Sequence, residues 1–561
     1  MGQNFRSALR RAVAQAGLSE EQAAACLLDR FTFGAQSGEV ERVVAMGIDA
    51  WVEEQLRAAL PEPELEAKLA AFPALRMSAQ EQVARYPDIH FVYAHARRFY
   101  DLIPPAASPV DAEWRERRVA QFRREQGYLD EGVDLYRELV GQKIVRARYC
   151  RNQLAEVLTD FWFNHFYVTP THFRARTWIL AYERDAIRPN ALGTFRDLLG
   201  ATAHHPAMLL YLDNAESTAP PGTPTSMQDA VERLRREAGE GTAGVDARLA
   251  NIQAEIQRFE DEEQAMLDKE FRPRAGINEN YARELMELHT LGVDGGYTQQ
   301  DVREVARALT GWTVYPICIT PEWFTAGFHH GREVGFVREG HFLFRPDWHE
   351  ATEKRVLGEV VAAEGGREEG ERILDRLAAH PATARHLARK LAIRFVCDDP
   401  PASLVERLAS AFAERGGDAR LVMETLVASR EFWEEAARRS KIKSPFELAL
   451  SAVRALDGDV TETTELGEWC VRMGQPLYGF QAPTGFPDRG SFWINAGTLL
   501  SRMSFGLALA KGEIGGVRHT GVLEVMFDAF AQPGAERRDM DLPDAKSRVG
   551  LVLGSPLFQC R

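Results

Sequence analysis

Apolar residues recur at three- and four-residue spacing along most of the chain, the period of helices that bury one face. Ser19 stands before such a run with Gln22 three residues on, so a capping box opens a helix there. Trp51 to Leu60 keeps the same spacing. From Ala112 to Phe166 helix breakers are scarce, which predicts long helices with one break near Gly127. The end of that stretch, LTDFWFNHFYV, is too apolar for an exposed helix and belongs in the core. His205-Pro206 and His380-Pro381 read as helix starts with Pro at the first helical position. Ser444-Pro445-Phe446-Glu447 and Thr298-Gln299-Gln300-Asp301 read as capped starts.

Two regions leave this pattern. From Ala215 to Glu270 a Pro/Ser/Thr/Gly loop is followed by highly charged helical stretches. Leu249, Ile252, Ile256 and Phe259 make one apolar stripe there, which suits a helical hairpin or the docking of a partner helix. From Thr313 to Leu357 aromatics, Gly and His replace the helical period, and a short β-hairpin is expected around His341 to Arg345. The expected fold is mainly α: a large multi-helix assembly with a short irregular/β-hairpin region near 313–357. Its expected divisions are an N-terminal helical region (1–110), a central helical core (111–312) with a charged insertion at 215–277, an aromatic, His-rich loop region (313–360) and a C-terminal helical region (361–561).

Composition narrows the function classes. The 561 residues are 45% apolar and 27% charged, with a net charge of −14. That is ordinary globular composition, and the acidic balance argues against a nucleic-acid footprint. The local basic strip of Arg115, Arg117, Arg118, Arg123 and Arg124 reads as the solvated face of a helix. No run approaches the roughly 20 apolar residues that span a bilayer, and the N-terminus lacks an apolar signal core. The expected location is cytoplasmic for the chain as given, or exported if a leader has been removed. Six scattered cysteines without CxxC or CxxCH argue against a structural zinc site, a redox dithiol and c-type haem attachment.

Several strings resemble a known family. These are LLDRFTFGAQSGEVERVVAMGIDAWVEEQL, DFWFNHF, HHPAMLLYLDN, INENYARELMELHTLGVDGGYTQQDVREVARALTGW, HPATARHLARKLAIRFV, KIKSPFELALSAVRAL, GQPLYGFQAPTGFPD and GSPLFQ. In this order they resemble DUF1800, bacterial proteins of unknown function. The resemblance implies no reaction. It implies a DUF1501-type protein as a partner, because such members are often encoded side by side. The chain departs from the family pattern at Ala215–Gly276, which reads as an insertion.

Candidate chemistry gathers in the same strings. On an α-helix Asn280, Glu284 and Glu287 share one face, while His289 points away. The two glutamates suit a divalent cation, an acid and a base with separated pKa values, or ion pairs with Arg283, Arg303 or Arg307. Asn164 and His165 interrupt an aromatic run, so each requires a hydrogen-bond partner, and His165 suits a core role, a metal ligand or a general base. Asp213 and Asn214 close the helix after His204-His205, where a carboxylate opposes the dipole and calls for a partner. Among His329, His330, His341 and His349, the last lies in the most site-like string, RPDWHE.

The expectation is one polar pocket with His165, Asp213, Glu284 and Glu287 as catalytic residues. Asn164, Asn214, Asn280, Arg283, Trp312 and His349 are its ligand-binding residues. His165, Glu284 and Glu287 are the metal-ligand set, with haem a weaker cofactor. Such a pocket implies a hydrolase-like or metal-assisted enzyme. The alternative is a non-catalytic helical scaffold. GxSxG, P-loop and Rossmann strings are absent from the sequence.

Overall fold

The computed structural model describes residues 3–89, 92–93, 96, 112–238, 244–254, 257, 276–315, 334–363, 365–434, 440–519 and 545–561. The fold is mainly α. The Ser19, Thr298 and Ser444 capping boxes form, each hydroxyl accepting the N–H three residues on while the third residue reaches back. His205 and His380 cap their helices through the ring, each Nδ1 accepting a backbone N–H two residues on. Among the described residues no helix is long and apolar enough to cross a membrane.

The stretch after residue 112 holds helices Ala112–Gln126, Asp134–Tyr149 and Gln153–His165. The break at Gly127 is present, with φ +70°. A second break at 150–152 was not expected. Its cause is tertiary: the Glu62 carboxylate accepts the N–H groups of Arg151 (2.6 Å) and Asn152 (2.9 Å), which frees them from the helix. The basic strip also departs from expectation at Arg123, which is buried and paired with Asp130 and Glu131.

One contiguous apolar core runs from Leu9 to Phe558. The 153–165 helix lies inside it, with Leu154, Leu158, Phe161, Trp162 and Phe163 buried, as its apolar character requires. A smaller core joins Met227, Leu249 and Ile252 of the insertion to Tyr315, Val334, Phe336 and Leu343. The insertion's stripe is therefore covered by the chain itself at Leu249 and Ile252, not left for a partner helix. Ile256 and Phe259 lie outside the described residues.

The hairpin forms as strands Val337–Glu339 and Phe342–Phe344. It gains a third antiparallel strand, Trp312–Val314, with Trp312 opposite Phe344. Two six-residue π-helical segments, Tyr182–Ile187 and Leu285–Thr290, interrupt the α pattern. Such segments are rare and frequently mark functional sites.

Candidate functional site

Asn164 and His165 end the same buried helix and do different work. Asn164 clamps a loop: its amide donates to the Phe486 carbonyl (2.8 Å) and its carbonyl accepts the Phe486 N–H (2.8 Å). Gly485 makes this approach possible, because at φ +67° a Cβ would stand 2.2 Å from the Asn164 backbone oxygen. His165 is 1% exposed. Its Nδ1 lies 2.8 Å from Lys390 Nζ and its Nε2 lies 3.0 Å from the His289 carbonyl. A carbonyl only accepts, so Nε2–H donates, which leaves Nδ1 of the neutral ring to accept from Lys390. Burial, then the charge on Lys390, holds the His165 pKa well below its ordinary value. Both ring nitrogens of His165 are thus engaged within the protein.

Beside Asn164 opens a cleft of about 60 Å³, room for a few waters or one small polar group. Lys143, Asp160, Arg394, Tyr478 and Asp488 line it with Asn164. Lys143 pairs with Asp160, Arg394 with Glu447, and Asp488 with Lys441 at 3.1 Å. Tyr478 has φ +60°, a left-handed conformation that costs a bulky residue about 1–3 kcal/mol. Its hydroxyl donates to Glu183 at 2.5 Å, and Glu183 also takes Arg188 at 2.6 Å and Gln142 at 2.7 Å. Glu183 belongs to the first π segment. Apart from Asn164, none of these lining residues stands out from the sequence by itself. The signal available was the strings: DFWFNHF, HPATARHLARKLAIRFV, KIKSPFELALSAVRAL and GQPLYGFQAPTGFPD all contribute to the lining.

The carboxylates gather elsewhere. Asp213 stands at φ +58° and hydrogen-bonds Asn280. Burial, then Glu216, pushes its pKa up. Burial, then Glu287, likewise raises Glu284. Tyr297 donates to Glu287 at 3.3 Å. Arg283 serves Glu279 (3.2 Å) and Gln299 (2.9 Å), so neither it nor Arg303, also on Glu279, pairs with Glu284 or Glu287. Glu284 and Glu287 do share a half-buried face, while His289 is buried on the other side, as the spacing predicts. Among the described residues, no hydrogen bond, ion pair or ring contact joins His165 to Asp213, Glu284 or Glu287. Nor do three or more His, Cys, Asp or Glu side chains gather there as a metal site. The Leu288 and His289 carbonyls, at the end of the π segment, accept from His386 (3.3 Å) and His165.

The remaining expected ligand-binding residues are interior fixtures. Asn214 donates to the Leu309 (3.2 Å) and Trp312 (3.0 Å) carbonyls. Trp312 packs between His204 and Phe342, against Gly370, where a Cβ would come within 2.3 Å of the indole. His349 is fully buried, with Nδ1 2.8 Å from the Thr310 carbonyl and Nε2 3.3 Å from Glu369, which also binds Lys354. His349 thus belongs to an internal network of the hairpin region and does not cover the His165 site. His341 packs on Trp178, and His329 and His330 lie outside the described residues.

A family model described as "Protein of unknown function (DUF1800)" matches residues 26–560. No curated protein and no solved structure matches the chain.

Proposed function

Because the chain belongs to the DUF1800 family, whose description assigns no activity, we propose a reading from geometry: a hydrolase-like enzyme that holds a small polar group in the cleft beside Asn164. The observation that carries it is the meeting of Lys143, Asp160, Arg394 and Asp488 at one opening, next to a tyrosine held in a strained backbone conformation. Paired charges of both signs at a water-accessible opening suit acid–base work on a polar bond. In this reading Asp160 is the base, Lys143 and Arg394 steady developing negative charge, and Tyr478 shapes the floor. The chemistry moves away from the expected His165, Glu284 and Glu287 set, and Glu287 becomes the control position.

A panel of chromogenic esters, phosphate esters and glycosides tests this. Turnover of one class by the full chain, lost in Asp160→Asn and kept in Glu287→Gln, supports it. No turnover of any class, or turnover indifferent to Asp160→Asn, rejects it.

A second reading has its own observation. Leu499, Leu500 and Met503 on helix Ala496–Lys511 are exposed, as are Phe492 and Leu557. Exposed apolar rows favour protein docking, and a helical scaffold for a DUF1501-type protein is the form that the family resemblance suggests. The two readings differ in whether the cleft turns over a small molecule.

A further inference from the structure

Lys390 rises from helix Pro381–Phe395 between His386 and Arg394, one turn to either side. Its Nζ lies 2.8 Å from His165 Nδ1. The rings of His289 and His386 each lie 6.2 Å from that of His165. Four basic side chains from three helical segments meet in one place, His165 and His289 buried, His386 and Lys390 half-buried. Among the described residues no carboxylate forms an ion pair with Lys390, and Asp488 is the acidic group whose charge reaches it. An ammonium half withdrawn from water beside three imidazoles, without a paired carboxylate, is disfavoured, so the site favours a neutral amine or an added anion. His289 is 1% exposed, and its Nε2 has no hydrogen-bond partner. A buried polar atom left in that state calls for a reason.

We propose that Lys390 is a carbamate-forming lysine, whose amine takes up carbon dioxide and whose carbamate anion is held by His165, once protonated, and by His289. The inference stands apart from the cleft reading and survives its failure. The neutral Nζ attacks the carbon of carbon dioxide. An N–C bond forms, and one C=O π pair becomes the charge on the new carboxylate. The proton lost from nitrogen passes to His165 Nδ1, already within hydrogen-bond reach. Nothing is oxidised or reduced. The product places an anion among three imidazoles and gives His289 an acceptor. A carbonyl compound would give a cationic or neutral imine at the same nitrogen, and the surrounding basic groups would gain no counter-charge from it.

The test uses the full chain equilibrated with carbon-13 bicarbonate at about pH 8, trapped by O-ethylation with a trialkyloxonium reagent and read by peptide mass spectrometry. Burial lowers Lys390 to about 8 from 10.5, so its neutral fraction at that pH exceeds that of an ordinary lysine by about a hundredfold. The expected result is trapped label on the Lys390 peptide far above every other lysine peptide, reduced about tenfold in His289→Phe, the effect of one lost hydrogen bond. Label on Lys390 no greater than on other lysines overturns the proposal. So does full label in a His289→Phe variant shown to be folded by circular dichroism. The wild-type comparison stands without any variant.

Discussion

Lys390 Nζ donates to His165 Nδ1 across 2.8 Å, the ring nitrogen left to accept once Nε2–H donates to the His289 carbonyl. A histidine that the sequence offers as a ligand is thereby spent on holding three helical segments together. The same contact ties the half-buried Lys390 to a fully buried imidazole.

Folding lowers Lys390 from 10.5 to about 8, through burial. Between those values the unfolded chain binds more protons than the folded one, so stability rises with pH across that window. Below about pH 8 the penalty is constant. Lys390→Met removes it. Thermal melts of the variant are expected to show a higher midpoint at pH 7 and a flatter slope between pH 8 and 10.5 than wild type. An unchanged slope would show that Lys390 titrates normally.

Burial holds His205 and His289 at about 3 and His386 at about 4, all below 6.5. The unfolded chain therefore takes up protons first as pH falls below 6.5, and stability declines from there toward pH 4. His289→Phe is expected to shallow that decline. Denaturant titrations at pH 7, 5.5 and 4.5 measure it, and parallel curves for variant and wild type would count against a neutral His289.

Glu447 is buried between Arg394 and Arg561. Burial opposes its charge, but the two guanidinium groups hold its pKa well below the usual carboxylate range. Glu447→Gln takes the carboxylate from Arg561 and leaves Arg394 only its longer 3.9 Å contact with Asp160, and is expected to cost about 3–5 kcal/mol in chemical denaturation. A loss below about 1 kcal/mol would mean that solvent reaches the triad.

Gly485→Ala combines a left-handed backbone with a Cβ aimed at the Asn164 carbonyl, 2.2 Å away. A cost of about 1–3 kcal/mol is expected from the backbone alone, together with loss of any cleft activity. Asn164→Ala frees the same loop by deleting both hydrogen bonds to Phe486. The two variants should therefore lose activity to similar degrees in a turnover assay, and full activity in either separates the loop from the site.

Much of the helical frame was legible because its signals are local. Ser19 with Gln22, Thr298 with Asp301 and Ser444 with Glu447 each complete a cap within four residues. The apolar run ending at Phe166 announces its burial by composition alone. The break at 150–152 was not legible, since its cause is Glu62, about 90 positions away. The candidate cleft was legible only as strings. Lys390 and Arg394 read as ordinary charges on an amphipathic helix, and only the fold brings them to His165 and Asp160. Asn214, Trp312 and His349 stand out because buried polar and aromatic groups are conspicuous in sequence, and their partners are backbone carbonyls, neighbouring rings and, for His349, the Glu369 carboxylate.

Hydrogen–deuterium exchange with a turned-over chromogenic substrate, or its product, bound to the full chain locates the site most directly. The account predicts slowed exchange in peptides spanning 153–167 and 475–493, with none at 280–290. Protection confined to 280–290 and 211–216 would return the site to the carboxylates and contradict the cleft assignment.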